Sequence, residues 1–164
     1  MMSSVNIIVA VAENNCICST GMIDEDTHYF LDKVKGSAAI LGRGTFEYME
    51  EEGQLDDTTL YFILSKSGYE NDEQNCIPCS SFLTALAHAK KTERSIWICG
   101  GESVYEEAIS YCDRLYITRI YQSIEGEHVF PVNWRSYFNR IVAERWKMDD
   151  DHPMNYAFQV YEKK

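Results

Sequence analysis

The chain has 164 residues, of which 45% are hydrophobic and 25% charged, and its formal net charge is −11 at pH 7. This length and composition predict one globular domain, residues 1–164, with a substantial core, and they exclude a disordered chain. The acidic balance disfavours a nucleic-acid partner, and no apolar run approaches the roughly 20 residues of a membrane span.

Strand and helix patterns alternate along the first two thirds of the chain. Near-continuous apolar runs, typical of strands buried on both faces, lie at 5–12, 37–41, 58–65 and 95–99. A helix pattern follows each run, at 24–36, 42–53, 80–91 and 102–111. Strand patterns without intervening helices then follow, at 114–122, 138–148 and 155–163. We therefore predict an α/β domain, with a central mixed sheet of about eight strands flanked by about four helices.

The ends of three predicted strands carry residues suited to a phosphate. They are Gly42-Arg43-Gly44-Thr45, Ser65-Lys66-Ser67, and Gly100-Gly101 with the Glu102, Ser103, Val104 and Tyr105 that follow. Ligands of open α/β sheets lie beyond the carboxyl ends of strands. Arg43 and Lys66 are therefore candidates to bind a phosphate monoester, although each could also be an ordinary surface cation.

The glycine pair Gly100-Gly101 joins a strand to a helix. With no Cβ atom in the way, a ligand can touch the main chain there, and the helix start behind it presents free N–H groups. Such a turn is well suited to binding a phosphate group. The pair by itself is equally consistent with a tight turn that binds nothing.

The first predicted helix carries an acid and an aromatic residue on one face. Asp26 and Phe30 are four residues apart, which places both side chains on the same side of a helix. A carboxylate beside an aromatic ring would hold a flat heterocycle that has an amidine edge. The alternative for Asp26 is a favourable charge in the first helical turn, together with Asp24 and Glu25.

The cysteines do not predict a metal site or a disulfide framework. The first residues, "MMSSVNIIVAVAENN", lack the basic segment and the cleavage site of a secretory signal, so we expect reduced thiols and a cytoplasmic protein. Cys76 and Cys79 have the spacing of a redox or zinc half-site, but the four histidines are scattered singly along the chain. We predict that no metal is bound.

Four ordered blocks resemble the dihydrofolate reductase family, and together they cover almost the whole chain. They are "ILGRGTFE", "CGGESVYEEA", "LYITRI" and "EGEHVFP". The resemblance implies NADPH-dependent reduction of 7,8-dihydrofolate to 5,6,7,8-tetrahydrofolate. It also implies a monomer that takes a folate or pterin substrate and uses no nucleic acid or membrane.

The resemblance implies a role for each matching position around the pteridine ring of the substrate. Asp26 is implied as the acid that hydrogen-bonds the amino-pyrimidine edge and promotes protonation, and Thr118 as the residue that bonds this acid. Phe30 is implied as the aromatic wall beside the ring. The other implied substrate contacts are Ile8, Val9, Ala10, Met49, Cys99 and Tyr105.

The implied cofactor contacts lie at the strand ends already described. In the family, the peptide between the two glycines is cis, the turn after the second strand takes the phosphates, and the turn after the third lies near the adenosine. The implied contacts are Ala10, Ile17, Gly42, Arg43, Gly44, Thr45, Leu64, Ser65, Lys66, Cys99, Gly100, Gly101, Glu102, Ser103, Val104 and Tyr105.

Three departures from the family pattern leave other functions open. The loop "ICSTGMI" is roughly four residues shorter than the family's active-site loop and lacks its Pro and Trp. Asp56, Asp57, Thr58 and Thr59 stand where the family places an arginine for the glutamate tail of folate, and Glu102-Ser103 replaces an arginine after the glycine pair. The alternatives are an NADPH-dependent reductase of another pterin or aminopyrimidine, and a nucleotide-binding pseudoenzyme.

Overall fold

Strands alternate with helices along the protein, whose structure is a computed structural model that describes residues 4–18, 23–66, 69–71, 73–149 and 154–164. The strands of these residues are β1 (Val5–Ala12), β2 (Ala38–Gly42), β3 (Leu60–Leu64), β4 (Cys76–Cys79), β5 (Ile96–Gly100), β6 (Arg114–Ile120), β7 (Phe138–Asp149) and β8 (Met154–Lys163). The α-helices are α1 (Asp24–Val34), α2 (Arg43–Glu51), α3 (Phe82–Lys91) and α4 (Glu102–Ala108). Short 3-10 turns lie at Ile109–Tyr111 and Trp134–Ser136.

The eight strands form one sheet in the order β4-β3-β2-β5-β1-β6-β8-β7. The pairs from β4 to β6 are parallel, whereas β8 pairs antiparallel with both β6 and β7. The predicted mixed sheet of about eight strands with about four helices is therefore confirmed. Because the parallel strands all end at the same edge, their carboxyl ends lie side by side.

Strand β4 is the element that sequence reasoning missed. Cys76 and Cys79, which we expected to be reduced thiols despite their redox or zinc half-site spacing, begin and end a strand that pairs parallel with β3. Both cysteines are free and buried, so they pack as small apolar side chains. The strand has only four residues and contains Pro78, which is tolerated because β4 lies at the edge of the sheet.

Several helices begin or end one to three residues away from the predicted positions, for reasons that lie in the local structure. Helix α1 ends at Val34 rather than at Gly36, whose φ of +76° is a left-handed conformation that stops a helix. Helix α3 begins at Phe82, because the Ser81 hydroxyl accepts the N–H of Thr84 and caps it. The predicted helix 102–111 becomes a 3-10 turn after Ala108.

Strand β1 is buried along its whole length because helices cover both faces of the sheet. Its residues Ile7, Val9 and Val11 pack into the core that includes α3 and α4. Ile8 points to the other face and packs in the core that includes α1 and α2. The side chains of this central strand therefore pack against both helix layers, and the two layers approach each other at its carboxyl end.

Among the described residues, no helix is both long and apolar enough to cross a membrane.

Candidate active site

A cavity of about 1030 Å³, here called the main cleft, opens at the carboxyl ends of β1, β2, β3 and β5. Every predicted site residue except Thr118 lines it. These lining residues are Ile8, Val9, Ala10, Ile17, Asp26, Phe30, Gly42, Arg43, Gly44, Thr45, Met49, Leu64, Ser65, Lys66, Cys99, Gly100, Gly101, Glu102, Ser103, Val104 and Tyr105. Such a volume lies at the upper end for small-molecule pockets, so the main cleft is large enough for two ligands.

Asp26 and Thr118 form a buried polar pair at one end of the main cleft. Asp26 lies in the first turn of α1, and Thr118 lies on β6 opposite Ala10 of β1. The Thr118 hydroxyl donates a hydrogen bond to Oδ1 of Asp26 at 2.7 Å. Only 7% of Asp26 and 2% of Thr118 are exposed, so the carboxyl group is held in one orientation away from bulk water.

Burial raises the pKa of Asp26 from 3.8 to about 6, and the hydrogen bond from Thr118 opposes part of that rise. The direction follows from desolvation, which penalises the charged form of a carboxyl group. A carboxyl group with a pKa of about 6 still carries a proton part of the time at neutral pH. Asp26 is therefore able to exchange a proton with a bound heterocycle.

Apolar side chains line the main cleft together with Asp26. Phe30 of α1 and Met49 of α2 are buried in the same cluster as Ile8 of β1, and Cys99 of β5 belongs to it too. All four side chains also line the main cleft. A flat ring placed against Asp26 would thus have apolar contacts along its faces, while its polar edge meets the carboxyl group.

The glycine pair lies where three segments of the chain converge. The Gly100–Gly101 peptide is cis, and Gly100 has a φ of +116°. A Cβ atom on Gly100 would lie 3.1 Å from the Tyr105 hydroxyl, which donates a hydrogen bond to the Ile8 carbonyl at 2.8 Å. A Cβ on Gly101 would come within 3.5 Å of Oγ1 of Thr45. The bare backbone keeps this part of the main cleft open, and it fits a dinucleotide that lies against the strand ends.

Some cations and carboxylates near the strand ends of the main cleft contact each other within the protein. Arg43 pairs with Glu47 at 2.7 Å, and its guanidinium lies 4.9 Å from the centre of the Tyr69 ring. Lys66 lines the main cleft just after β3, whereas the neighbouring Ser67 lies outside the described residues. The Glu102 carboxylate accepts the N–H of Val129 at 3.2 Å and lies 3.8 Å from Nδ1 of His128.

The main cleft also contains residues that the sequence did not indicate: Cys18, Tyr48, Ser80, Ser81, Phe82, Glu106, Glu107 and His128. Ser80 and Ser81 follow directly after β4, so recognising that strand would have predicted them. Cys18 and His128 carry no local signal, because their segments meet through a hydrogen bond from the Ile17 N–H to the His128 carbonyl.

Two other sequence predictions concern this region. The short loop "ICSTGMI" is described only at its ends, since residues 19–22 lie outside the described residues. Within the ranges that the structure describes, no group of three or more His, Cys, Asp or Glu side chains could hold a metal ion.

Comparisons with known proteins agree with this geometry. The family model described as dihydrofolate reductase matches residues 4–163. The dihydrofolate reductase of Bacillus subtilis is 30% identical over 142 residues, which is 87% of this chain and 82% of that protein. The dihydrofolate reductase of Drosophila melanogaster is 33% identical over 142 residues, which is 77% of this chain and 78% of that protein. The solved structure of dihydrofolate reductase from Enterococcus faecalis, complexed with NADP(H) and RAB-propyl, superimposes with a TM-score of 0.84 at 25% identity, covering 100% of this chain and 99% of that one.

Proposed function

The chain belongs to the dihydrofolate reductase family, and on that premise we propose that Asp26 holds the pteridine of the substrate and promotes its protonation. The protein is an NADPH-dependent oxidoreductase that reduces 7,8-dihydrofolate to 5,6,7,8-tetrahydrofolate. Reduction of another pterin and a pseudoenzyme, the alternatives that the sequence left open, are not favoured by these relatives.

NADPH, when bound, supplies the hydride that adds to C6 of the dihydropteridine, while N5 takes a proton, so that the C6=N5 double bond becomes a single bond. The Asp26 carboxyl group accepts N–H bonds from the amino-pyrimidine edge of the ring. Its raised pKa lets it exchange a proton with the bound substrate near neutral pH. Thr118 fixes the direction of the carboxyl group through its hydroxyl.

We assign the opposite side of the main cleft to the cofactor. The turn Gly42–Thr45 begins α2, whose free N–H groups favour a phosphate, and Arg43 and Lys66 add positive charge. The bare backbone at Gly100 and Gly101 allows the nicotinamide to approach β5. The observation that carries the proposal is that Asp26, held by its hydrogen bond from Thr118, lines the same cavity as Gly100 and Gly101.

The test is Asp26→Asn, assayed by NADPH oxidation at 340 nm with dihydrofolate. We expect turnover at pH 7 to fall by about 10²-fold or more, because the amide can neither carry nor exchange the proton. The wild-type rate should fall as pH rises through about 6, and that decline should be absent in the variant.

Asp24→Asn is the matched control for this test. It removes the same charge from the same helical turn, but Asp24 is exposed and does not line the main cleft. Its turnover should stay close to that of the wild type. Near-normal turnover of Asp26→Asn would remove Asp26 from the mechanism.

We further propose that the chain acts as a single-domain monomer in the cytoplasm. All six cysteines are free, which suits a reducing compartment, and the net charge of −11 opposes self-association. Light scattering should return a mass near 19.0 kDa, and thiol titration of the denatured protein should count six thiols. A dimer mass or fewer thiols would contradict the respective part of this proposal.

A further inference from the structure

Arg43, the first residue of α2, is held on two sides by other side chains. Its Nε atom donates a hydrogen bond to Oε1 of Glu47 at 2.7 Å, and its Cζ atom lies over the Tyr69 ring, 4.9 Å from the ring centre. Within the described part of the chain, its two terminal nitrogens have no hydrogen-bond partner. Because Arg43 lines the main cleft, these nitrogens are available to a ligand there.

The two supports of Arg43 differ in how firmly they are fixed. The side chains of Arg43 and Glu47 are 46% and 47% exposed, so water and salt compete with their ion pair. Tyr69 is only partly exposed, and its ring packs edge-on against Phe46 with the ring centres 6.3 Å apart. The Tyr69 hydroxyl also accepts an N–H of the Asn71 side chain at 3.2 Å. The Tyr69 ring is therefore the better fixed of the two supports.

The order of the strands places this guanidinium at one end of the main cleft. Strand β2 lies between β3 and β5, and the glycine pair ends β5. Arg43 follows β2, and its side chain contacts Tyr69 of the segment that follows β3. If the nicotinamide lies at Gly100 and Gly101, a dinucleotide along the strand ends carries its adenosine towards β3. The Arg43 guanidinium then lies at the adenosine end, a placement that rests on the function proposed above.

One group at the adenosine end distinguishes NADPH from NADH. It is the phosphate monoester on the 2′-oxygen of the adenosine ribose, which carries a charge of about −1.5 to −2 near pH 7. The terminal nitrogens of an arginine form a planar fork that can bind two oxygens of such a phosphate. Binding through both nitrogens depends on the plane of the guanidinium, which an aromatic ring beneath it helps to fix.

We propose that Tyr69 is a positioning residue for the choice of cofactor. Its ring holds the Arg43 guanidinium towards the 2′-phosphate of NADPH and thereby strengthens the preference for NADPH over NADH. Glu47 occupies the Nε edge of the guanidinium, which leaves the two terminal nitrogens for the phosphate. Tyr69 does not itself line the main cleft, so its effect passes through Arg43.

The experiment measures KM and kcat for NADPH and for NADH with saturating dihydrofolate. We expect Tyr69→Leu to raise the KM of NADPH by about two- to fivefold, which corresponds to the loss of an exposed cation–π contact. The KM of NADH and both kcat values should not change, because NADH lacks the phosphate that Arg43 binds. Tyr69→Phe keeps the aromatic face and should retain the wild-type preference.

The effect of Tyr69 through Arg43 is tested by a double-mutant cycle. Arg43→Met removes the charge and should weaken the preference for NADPH more than Tyr69→Leu does. Adding Tyr69→Leu to Arg43→Met should cause no further loss. The rate with NADH reports that each variant is folded, and Tyr69→Met is the second variant if the leucine variant does not fold.

The outcomes separate this inference from the proposed function. If the wild type reduces dihydrofolate with neither cofactor, the proposed function itself fails. If the protein is active, the inference is overturned when Tyr69→Leu leaves the KM of NADPH unchanged or raises the KM of both cofactors alike. It is also overturned when Tyr69→Phe loses as much as Tyr69→Leu, or when Tyr69→Leu still raises the KM of NADPH in the Arg43→Met background.

Discussion

Asp26 is the residue at which the proposed activity and the stability of the fold oppose each other. Its carboxyl group is buried, and its hydrogen bond from Thr118 offsets only part of the desolvation cost. A site selected for stability alone would place a neutral or apolar side chain there. The raised pKa that weakens the fold is the same property on which the proposed role of the group as an acid near neutral pH depends.

We predict that Asp26→Asn stabilises the protein at pH 7.5. The pKa is 3.8 in the reference state and about 6 in the folded state, so the folded state binds more protons between these values. The free energy of unfolding of the wild type therefore falls as pH rises through that window. The neutral amide does not incur this loss, and the variant should be more stable by up to about 3 kcal/mol above pH 6.

Urea denaturation at pH 4 and at pH 7.5 measures this effect. The gain should be present at pH 7.5 and nearly absent at pH 4, where the wild-type carboxyl group is protonated in the folded state. A gain of the same size at both pH values, or a loss at pH 7.5, would show that the Asp26 carboxylate is not a source of instability.

Single residues differ in how far the sequence could predict them. The helical spacing of Asp26 and Phe30 was enough to place both on one face of α1, and both line the main cleft. The partnership with Thr118 spans 92 positions, and only the resemblance to a family implied it. The segments that contain Cys18 and His128 meet through a backbone hydrogen bond from Ile17 to His128, which leaves no pattern in either segment.

At the level of elements, the join between β5 and α4 is the most constrained. The φ of +116° at Gly100 favours glycine, and Tyr105 packs against the place where a Cβ atom would lie. Tyr105 is itself held by its hydrogen bond to the Ile8 carbonyl of β1. A side chain at Gly100 would therefore disturb both the strand end and the hydrogen bond that connects it to the central strand.

We predict that Gly100→Ala lowers the free energy of unfolding by about 1 to 3 kcal/mol, from the positive φ and the contact with Tyr105. Thermal or urea unfolding measures it. Gly44→Ala is the control for stability, since a Cβ there meets nothing within 4 Å and alanine favours the helix that contains it. A Gly100→Ala variant as stable as Gly44→Ala would contradict the constraint at this join.

The elements themselves were largely predictable, because long apolar runs and capped amphipathic segments carry a strong periodic signal. Strand β4 was not, since its four residues include a proline and two cysteines and show no alternation. Its existence depends on pairing with β3, a tertiary contact that outweighs weak local propensity. Missing it also hid Ser80 and Ser81, which extend the main cleft.

For the whole molecule, the acidic balance opposes the binding of an anionic cofactor. The chain has 26 acidic against 15 basic residues, so its overall field repels a phosphorylated cofactor. At the cofactor side, Arg43, Lys66 and the free N–H groups at the start of α2 oppose that field locally.

The arrangement of the whole sheet brings Asp26 and the backbone of Gly100 and Gly101 together. Asp26 reaches the main cleft from α1 and the glycine pair from the end of β5, while Thr118 of β6 holds Asp26 by a hydrogen bond; β1 lies between β5 and β6. The order of strands and helices predicted a ligand at this edge. The pairing of particular side chains across it required the three-dimensional structure.

A crystal structure with NADP⁺ and folate bound tests the central claim most directly. The account predicts that a carboxylate oxygen of Asp26 lies about 3 Å from the 2-amino group of the pteridine. It also predicts that the nicotinamide lies between that ring and the Gly100–Gly101 backbone. A pteridine bound elsewhere, or a nicotinamide far from the glycine pair, would contradict it.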